Sequence, residues 1–305
     1  MSPALSPEEI RDVNTRYHDV AADHYDAKWG IDFGDLGAEQ VLGKIRKALG
    51  NDAPQHFDRA LEIGAGTGYF TLNMLRTGMI GQATCSDISP GMLATLNENA
   101  QRLGLEVRTE VADAEQLPFA DASFDLVFGH AVLHHIPDLE RAMREFVRVL
   151  APGGTIVFAG EPSRYGDRLA SVPKRAAGAL APLWRRAIGA RPAPTPAESG
   201  MAADAALEGF VDVHAFAPAE LSRAARAGGF EDVRVTGEEL LANWFGWTNR
   251  TLEATADPRD VPWGWREYAY RGYLLLQRLD RSLLESRLPP AIFYNLMITA
   301  RTPAR

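Results

Sequence analysis

A glycine-rich segment is the feature of this sequence that points most directly to ligand binding. An apolar run that includes Leu61 ends in Gly64, Gly66 and Gly68, and helical spacing resumes soon afterwards. A strand that leads through such a turn into a helix presents backbone N–H groups beyond its carboxyl end, and glycine lets a ligand approach closely. The dinucleotide-binding fingerprint would need a glycine where Tyr69 stands, and the Gly-Lys-Ser/Thr ending of a phosphate-binding loop is absent. The spacing therefore fits neither of these two motifs.

Carboxylates and histidines stand where the next strands are predicted to end. Asp87 ends the second strand, Asp113 ends the third, and His130, His134 and His135 follow the fourth. Aspartate is also common at helix caps and turns, so a structural role is the alternative for both aspartates. Histidine can act as a general base near neutral pH, so His134 and His135 are catalytic candidates, with hydrogen-bonded packing as the alternative. Adjacent histidines diverge on a strand or helix and no third ligand is evident, so no metal site is predicted.

An alternation of strands and helices positions these residues. Nearly continuous apolar runs predict seven strands, at about residues 60–63, 83–87, 107–111, 124–128, 155–159, 230–236 and 292–300. Helical spacing connects most of them, and further helices are predicted before the first strand, at 8–17 and 36–49. A parallel sheet covered by helices on both faces produces this pattern. We therefore predict an α/β fold with a doubly wound, mostly parallel, seven-stranded sheet.

Two insertions interrupt the alternation, and with the N-terminal helices they are predicted to form a lid. The first carries seven basic residues and one acidic residue between Arg164 and Arg191. It is either a solvated helix or a surface for anionic or lipid-like molecules, including peripheral contact with a membrane. The second holds four of the six tryptophans, which either line a hydrophobic pocket or only pack the insertion. The predicted segments are an N-terminal helical cap (1–49), an α/β core (50–162, continued at 215–240), a basic helical insertion (163–214), a Trp-rich insertion (241–290) and a last core strand (291–305).

Composition narrows the class of protein. The 305 residues are 46 % hydrophobic and 24 % charged, as in soluble globular proteins. Cys85 is the only cysteine, so no intrachain disulfide can form. The net charge of −8 argues against a general nucleic-acid binder. No signal peptide or bilayer-spanning stretch is visible, so we predict a cytoplasmic protein without a transmembrane segment.

The glycine spacing resembles motif I of the class I S-adenosylmethionine-dependent methyltransferases, in the branch of the type 11 and quinone C-methyltransferases. Five further features agree with the family in order and spacing: Asp87, the pair Ile88 and Met92, the pair Asp113-Ala114, the histidine-rich segment 124–138 and the turn at 150–156. The resemblance covers about residues 15–162 and, more weakly, 215–240 and 290–300. It implies a Rossmann-like methyltransferase fold.

The resemblance also implies S-adenosylmethionine as the cofactor and S-adenosylhomocysteine as its product. In the family, the position of Asp87 holds both ribose hydroxyls, and a carboxylate suits this task because its two oxygens can accept from a vicinal diol. The positions of Ile88 and Met92 pack the adenine ring. The positions of Asp113 and Ala114 contact the amino edge of the adenine ring.

The remaining implied contacts concern the amino-acid end of the cofactor. It lies near the glycine turn, beside Glu62, and the position of His130 contacts it. Tyr17 and Tyr25 resemble aromatic residues of N-terminal helices that close over the cofactor. The complete set of predicted cofactor residues is Tyr17, Tyr25, Glu62, Gly64, Ala65, Gly66, Gly68, Asp87, Ile88, Met92, Asp113, Ala114 and His130.

The function predicted from this resemblance is transfer of the sulfonium methyl group, by in-line displacement, to a small-molecule or lipid-like acceptor. Such an enzyme mainly aligns its reactants, and it needs a base only where the acceptor arrives protonated. An NAD(P)-dependent oxidoreductase is one alternative, disfavoured by Tyr69 and the histidine-rich fourth strand. A non-catalytic partner subunit that binds the cofactor is another. Protein and nucleic-acid acceptors are disfavoured by the acidic balance and by the insertions predicted to cover the acceptor side.

Overall fold

The computed structural model describes residues 6–29, 31–50, 54–194 and 214–304, apart from the side chains of residues 20, 21 and 23–29. The described helices, numbered in chain order, are α1 (Pro7–Trp29), α2 (Asp35–Leu49), α3 (Tyr69–Arg76), α4 (Pro90–Leu103), α5 (Leu139–Val149), α6 (Arg164–Ile188), α7 (Pro218–Gly228), α8 (Leu241–Glu253) and α9 (Trp263–Leu279). The strands are β1 (Phe57–Ile63), β2 (Ile80–Asp87), β3 (Arg108–Val111), β4 (Phe124–His130), β5 (Leu150–Pro162), β6 (Glu231–Glu238) and β7 (Asn295–Arg301).

The seven strands form one sheet in the order β3-β2-β1-β4-β5-β7-β6. The pairs β1–β2, β2–β3, β1–β4 and β4–β5 are parallel. The chain runs outward from β1 to β3 and then returns beside β1 with β4, as in a doubly wound fold. The predicted α/β architecture is thus confirmed. The carboxyl ends of β1, β2, β4 and β5 share one edge of the sheet.

The chain divides into two compact units. The first consists of Met1–Glu161, Leu207–Val235 and Met297–Arg305, and the second of Pro162–Ala206 and Thr236–Leu296. The first unit contains α1 to α5 and α7, whereas the second contains α6, α8 and α9. The predicted division into six segments and the predicted lid stay predictions.

The core of the first unit is built from strands that are buried on both faces. Leu61 in β1 and the pair Leu126 and Phe128 in β4 are fully buried. Such continuous apolar strands are expected where helices cover both faces of a parallel sheet. On one face, Phe146 of α5 stacks on Phe158 of β5 with ring centroids 5.2 Å apart. The helix α5 thus covers β5 on that face.

Two helices of this unit begin at capping residues that the sequence supplies locally. Ser89 Oγ accepts a hydrogen bond from Met92 N–H at 3.1 Å, and Pro90 occupies the first position of α4. Asp138 accepts from Arg141 N–H at 3.0 Å at the start of α5. The helix α4 therefore begins directly behind the end of β2.

The strand β5 begins earlier than the sequence predicts. Its Ala-Pro-Gly-Gly segment has the composition of a turn, yet the strand starts at Leu150. Phe124 pairs with Leu150, whereas Leu126 pairs with Thr155, so the residues between them bulge out of the ladder. Gly153 permits the bend because its φ of +74° is accessible to glycine.

Two further boundaries differ from the sequence prediction. The helix α1 continues to Trp29, well beyond the predicted 8–17. The last strand begins at Asn295 rather than near residue 292, because a 3₁₀ turn (Pro290–Ile292) precedes it. Proline has no N–H to donate to a sheet, which favours the turn at that point.

The helix α8 of the second unit begins against a buried carboxylate. Asp280 is fully buried and accepts hydrogen bonds from the N–H groups of Leu240, Leu241 and Ala242 at 3.0, 3.0 and 2.9 Å. These N–H groups belong to the start of a helix, where no carbonyl within the helix is available to them. Among the described residues, no helix is both long and apolar enough to cross a bilayer.

We expect Asp280→Ala to destabilise the second unit by about 3 kcal/mol, because it leaves three N–H groups at a buried helix start without an acceptor. Urea unfolding would measure the loss. The control is Asp167→Ala on α6, whose exposed carboxylate pairs with Lys174 at 3.1 Å and should contribute less than about 1 kcal/mol. Equal losses in the two variants would show that Asp280 does not stabilise α8 in this way.

Candidate functional site

A cleft of about 110 Å³ lies at the carboxyl edge of the sheet in the first unit. Ile63 at the end of β1, Asp87 at the end of β2 and His130 at the end of β4 all line it. The same edge is where ligands bind in open α/β sheets, because the turns after the strands present free N–H groups there. Of the predicted cofactor residues, those in the lining are Gly64, Gly66, Asp87, Ile88, Met92, Asp113, Ala114 and His130.

The three glycines of the turn serve different purposes. All have positive φ, at +62° for Gly64, +52° for Gly66 and +91° for Gly68. A Cβ on Gly64 would stand 2.4 Å from Val132 Cγ2, and one on Gly68 would stand 2.9 Å from Leu96 Cγ. A Cβ on Gly66 would meet no atom within 4 Å. Gly66 is therefore the position where the backbone faces open space and a ligand can approach it.

Asp87 connects the glycine turn to the end of β2. Its Oδ2 accepts from Gly66 N–H at 2.8 Å, and its Oδ1 accepts from Ser89 N–H at 2.9 Å. Burial raises the pKa of Asp87, while His18 and the N–H donors oppose the rise. The carboxylate thus has a defined orientation beside the open position at Gly66.

The helix α1 supplies a wall of the cleft that the sequence analysis missed. Arg11, Asn14 and His18 line the cleft from this helix. Arg11 forms ion pairs with Asp113, at 2.7 Å, and with Glu115, at 2.6 Å. The three α1 residues recur at helical spacing on one face, and this periodicity is the sequence signal that could have identified them.

The histidine-rich segment after β4 is held by Glu161, another residue that the sequence analysis missed. Glu161 is fully buried and accepts from the backbone N–H groups of Val132, Leu133 and His134 at 3.0 to 3.1 Å. Its Oε2 also lies 2.8 Å from His134 Nδ1. His134 is buried by these contacts, whereas its neighbour His135 lines the cleft.

The histidines that reach the cleft contact aromatic rings. His130 stacks on Phe70 with ring centroids 4.7 Å apart. The ring of His135 lies 3.9 Å from that of His134 and 5.7 Å, edge to face, from that of His18. Of the two predicted catalytic histidines, His135 is the one in a position to contact a ligand in the cleft.

Four predicted cofactor residues lie outside the lining of this cleft. Glu62 is buried and accepts from Thr71 N–H and Thr71 Oγ1 at 3.2 and 2.5 Å, so its carboxyl group stabilises the start of α3. Gly68 precedes α3, and a Cβ at this position would stand 2.9 Å from Leu96 Cγ. Ala65 donates its N–H to Ser86 O at 3.0 Å. Tyr17 is buried on α1.

The structure therefore gives several of these residues a packing or hydrogen-bonding role, and their predicted contacts with a cofactor stay predictions. The side chain of Tyr25 lies outside the described part of α1. Within the described ranges, no three His, Cys, Asp or Glu side chains converge in a way that could hold a metal ion.

Comparison with known proteins shows what this chain is similar to. The model of the methyltransferase domain family matches residues 61–158. The chain is 40 % identical over 159 residues to a malonyl-[acyl-carrier protein] O-methyltransferase of Halorhodospira halophila, covering 52 % of this chain and 51 % of that protein. It is 39 % identical over 99 residues to a demethylmenaquinone methyltransferase of Thermus thermophilus, covering 32 % and 45 %. The chain thus spans about half the length of the curated relatives it matches.

Solved structures share the fold at low sequence identity. A phosphoethanolamine N-methyltransferase 2 of Haemonchus contortus, in complex with S-adenosyl-L-methionine, superimposes with a TM-score of 0.58 at 17 % identity, covering 99 % of this chain and 61 % of that chain. The [4+2]-cyclase SpnF superimposes with a TM-score of 0.59 at 18 % identity and covers 99 % of both chains. The family model shows that residues 61–158 form a methyltransferase domain, and the solved structures show that the fold around it is shared. The family resemblance of the sequence is thereby confirmed.

We expect alanine to be tolerated unequally at the glycine turn. Gly66→Ala adds a methyl group in open space and costs about 1 kcal/mol for its positive φ. Gly68→Ala adds the same backbone strain and a clash with Leu96, so we expect a loss of about 3 kcal/mol. Urea unfolding would measure both. Gly66→Ala should nevertheless weaken S-adenosylmethionine binding, measured by titration calorimetry. A greater loss of stability in Gly66→Ala would contradict these assignments.

We expect Glu62 to make stability fall as the pH rises. Burial raises the pKa of Glu62 to about 8 from its ordinary value of 4.5. The folded state therefore favours the protonated carboxyl, so this stability is fully present below about pH 4.5 and is lost as the pH rises through about 8. Urea midpoints measured across this range should decline less in Glu62→Gln than in the wild type. Exposed Glu98→Gln on α4 is the control, and parallel declines in wild type and Glu62→Gln would contradict the burial argument.

Proposed function

We propose that this protein is an enzyme that transfers the methyl group of S-adenosylmethionine to a small-molecule or lipid-like acceptor and releases S-adenosylhomocysteine. The observation that carries the proposal is the open backbone position at Gly66 beside the oriented carboxylate of Asp87, within a methyltransferase domain. A ligand with vicinal hydroxyls could approach this carboxylate without meeting a side chain on the turn.

The lining of the cleft offers groups suited to several parts of this cofactor. Asp87 offers carboxylate oxygens to ribose hydroxyls, and its neighbours Ile88 and Met92 offer apolar surface to an adenine ring. Asp113 can accept from the adenine amino group. His130 lies at the end of β4 and lines the cleft. The family resemblance implies that this position contacts the amino-acid moiety of the cofactor.

When bound, the cofactor supplies an electrophilic methyl group on its sulfonium. The residues of this chain then have three tasks: they hold the cofactor, they orient the acceptor and they exclude water. Alignment of this kind can contribute roughly 7–11 kcal/mol to lowering a bimolecular barrier. Glu161 favours one orientation of the segment that carries His134 and His135, which keeps the nearby wall of the cleft in one geometry.

His135 is the proposed base where the acceptor arrives protonated. It lines the cleft, whereas His134 is buried against Glu161. The contact between the two rings, with centroids 3.9 Å apart, makes His134 a positioning residue for His135. An acceptor hydroxyl or activated carbon would give its proton to an imidazole nitrogen of His135 as the methyl group is transferred.

Two relatives suggest the class of the acceptor. Their names describe a malonyl group on an acyl carrier protein and a demethylmenaquinone as the methylated compounds. The first is an acyl group carried on a protein and the second is a quinone, and neither is a nucleic acid. The proposed acceptor is therefore small or lipid-like, with either an oxygen or a carbon nucleophile.

We expect Asp87→Asn to weaken S-adenosylmethionine binding about a hundredfold, because it removes the charge that strengthens two hydrogen bonds to a diol. The matched control is Asp58→Asn, an aspartate with an 85 % exposed side chain on β1. Titration calorimetry measures affinity, and circular dichroism verifies the fold. Unchanged affinity in Asp87→Asn would overturn the ribose assignment.

The activity itself is tested with cofactor labelled on the methyl group. Purified protein is incubated with bacterial extract, which is then separated into organic, polar and macromolecular fractions. We expect label in the organic or polar small-molecule fraction with the wild type and Asp58→Asn, and its loss with Asp87→Asn. The opposite result is that the cofactor binds but no fraction from several extracts carries label. That result would favour a non-catalytic binding subunit and contradict the proposal.

A further inference from the structure

The helix α6 exposes an apolar stripe along its whole length. Tyr165, Leu169, Val172, Leu180 and Leu183 are all exposed, from 42 % at Leu169 to 67 % at Val172 and Leu183. At 3.6 residues per turn these five positions fall within a sector of about 80°. From Tyr165 to Leu183 the stripe extends over roughly 27 Å of this 25-residue helix. This arrangement is unusual because exposed large apolar residues normally occur singly.

The apolar stripe of α6 has the packed face of the helix on one side and a row of basic residues on the other. The buried residues of α6 are small and lie on one face: Gly166, Ala170, Ala177 and Ala181. Arg168, Arg175 and Arg186 are exposed and fall, by helical geometry, on the other side of the stripe. None of these three arginines forms an ion pair with a carboxylate among the described residues. A row of available positive charge therefore borders the apolar stripe.

We infer that α6 binds the surface of an anionic lipid bilayer, with its apolar stripe in the interfacial region and its arginines on the lipid headgroups. Helices that lie in a membrane interface combine an apolar face with Lys or Arg on the polar face. Anionic headgroups complement unpaired arginines, and each such residue near the surface strengthens binding. The net charge of the chain is −8, so the attraction must come from this local basic row.

The shape of the stripe favours a lipid surface over a protein partner. Protein interfaces concentrate their affinity in a few central anchors, enriched in Trp, Tyr and Arg, that enter pockets. Here the middle of the stripe is aliphatic, and its five large side chains are spread over the length of the helix. A continuous flat surface can contact all five at once. The inference does not rest on methyl transfer, because membrane binding can be measured without the cofactor.

The test is sedimentation of the full-length protein with vesicles of phosphatidylcholine, with and without phosphatidylserine. We expect binding to the anionic vesicles that weakens as salt is raised. Arg168→Gln/Arg175→Gln/Arg186→Gln should weaken it about a hundredfold, at about fivefold for each arginine. Leu180→Gln/Leu183→Gln should weaken it by at least about tenfold.

The matched control is Arg144→Gln/Arg223→Gln/Arg226→Gln, which changes the net charge equally at exposed positions of α5 and α7. It should bind anionic vesicles as the wild type does. Absence of binding, or equal binding by the α6 variants and the wild type, would overturn the inference. Binding of an acidic carrier protein that the α6 variants lose, with no vesicle binding, would overturn it in favour of a protein partner. Retained cofactor affinity in the α6 variants separates this result from any failure of the proposed function.

Discussion

The candidate site depends on carboxylates that are buried at the carboxyl edge of the parallel sheet. Asp87 at the end of β2 accepts an N–H from the glycine turn that follows β1, and Glu161 in β5 accepts three from the segment that follows β4. Each carboxylate thereby connects the strand that carries it to the turn that follows a neighbouring strand. Buried N–H groups need acceptors, and charged acceptors make the stronger hydrogen bonds. The geometry of the cleft follows from this constraint.

The walls of the cleft are held by different kinds of contact. The glycine turn and the histidine segment are fixed by backbone N–H groups that donate to carboxylates, whereas the wall from α1 is held by its side chains. Arg11 pairs with Asp113, which is one-third exposed, and with Glu115, which is buried. Water and salt screen exposed ion pairs, so the buried partner is the stronger of the two attachments. Asp19 also accepts from Gly91 N–H at 3.0 Å, which joins α1 to the start of α4.

The two units of the chain use similar hydrogen bonds but expose different surfaces. In the second unit, Asp280 supports the start of α8 much as Glu62 supports the start of α3 in the first. The first unit presents a cleft with carboxylates and imidazoles. The second presents a helix whose buried face consists of small residues and whose exposed face is apolar and basic. The proposed cofactor site and the proposed lipid-binding surface therefore belong to different units of the chain.

The sequence alone determined the sheet, the glycine turn and the place of Asp87, because each is encoded by neighbouring residues through strand periodicity and local spacing. Only the tertiary structure decided which polar side chains line the cleft. Glu62 lies next to the glycines in sequence, yet its carboxyl group is buried against Thr71, because α3 packs back onto the strand. Arg11 reaches Glu115 across 104 positions, and Glu161 reaches His134 across 27. Such pairs form because buried and ionic groups need partners, and which partners are available depends on the folded chain.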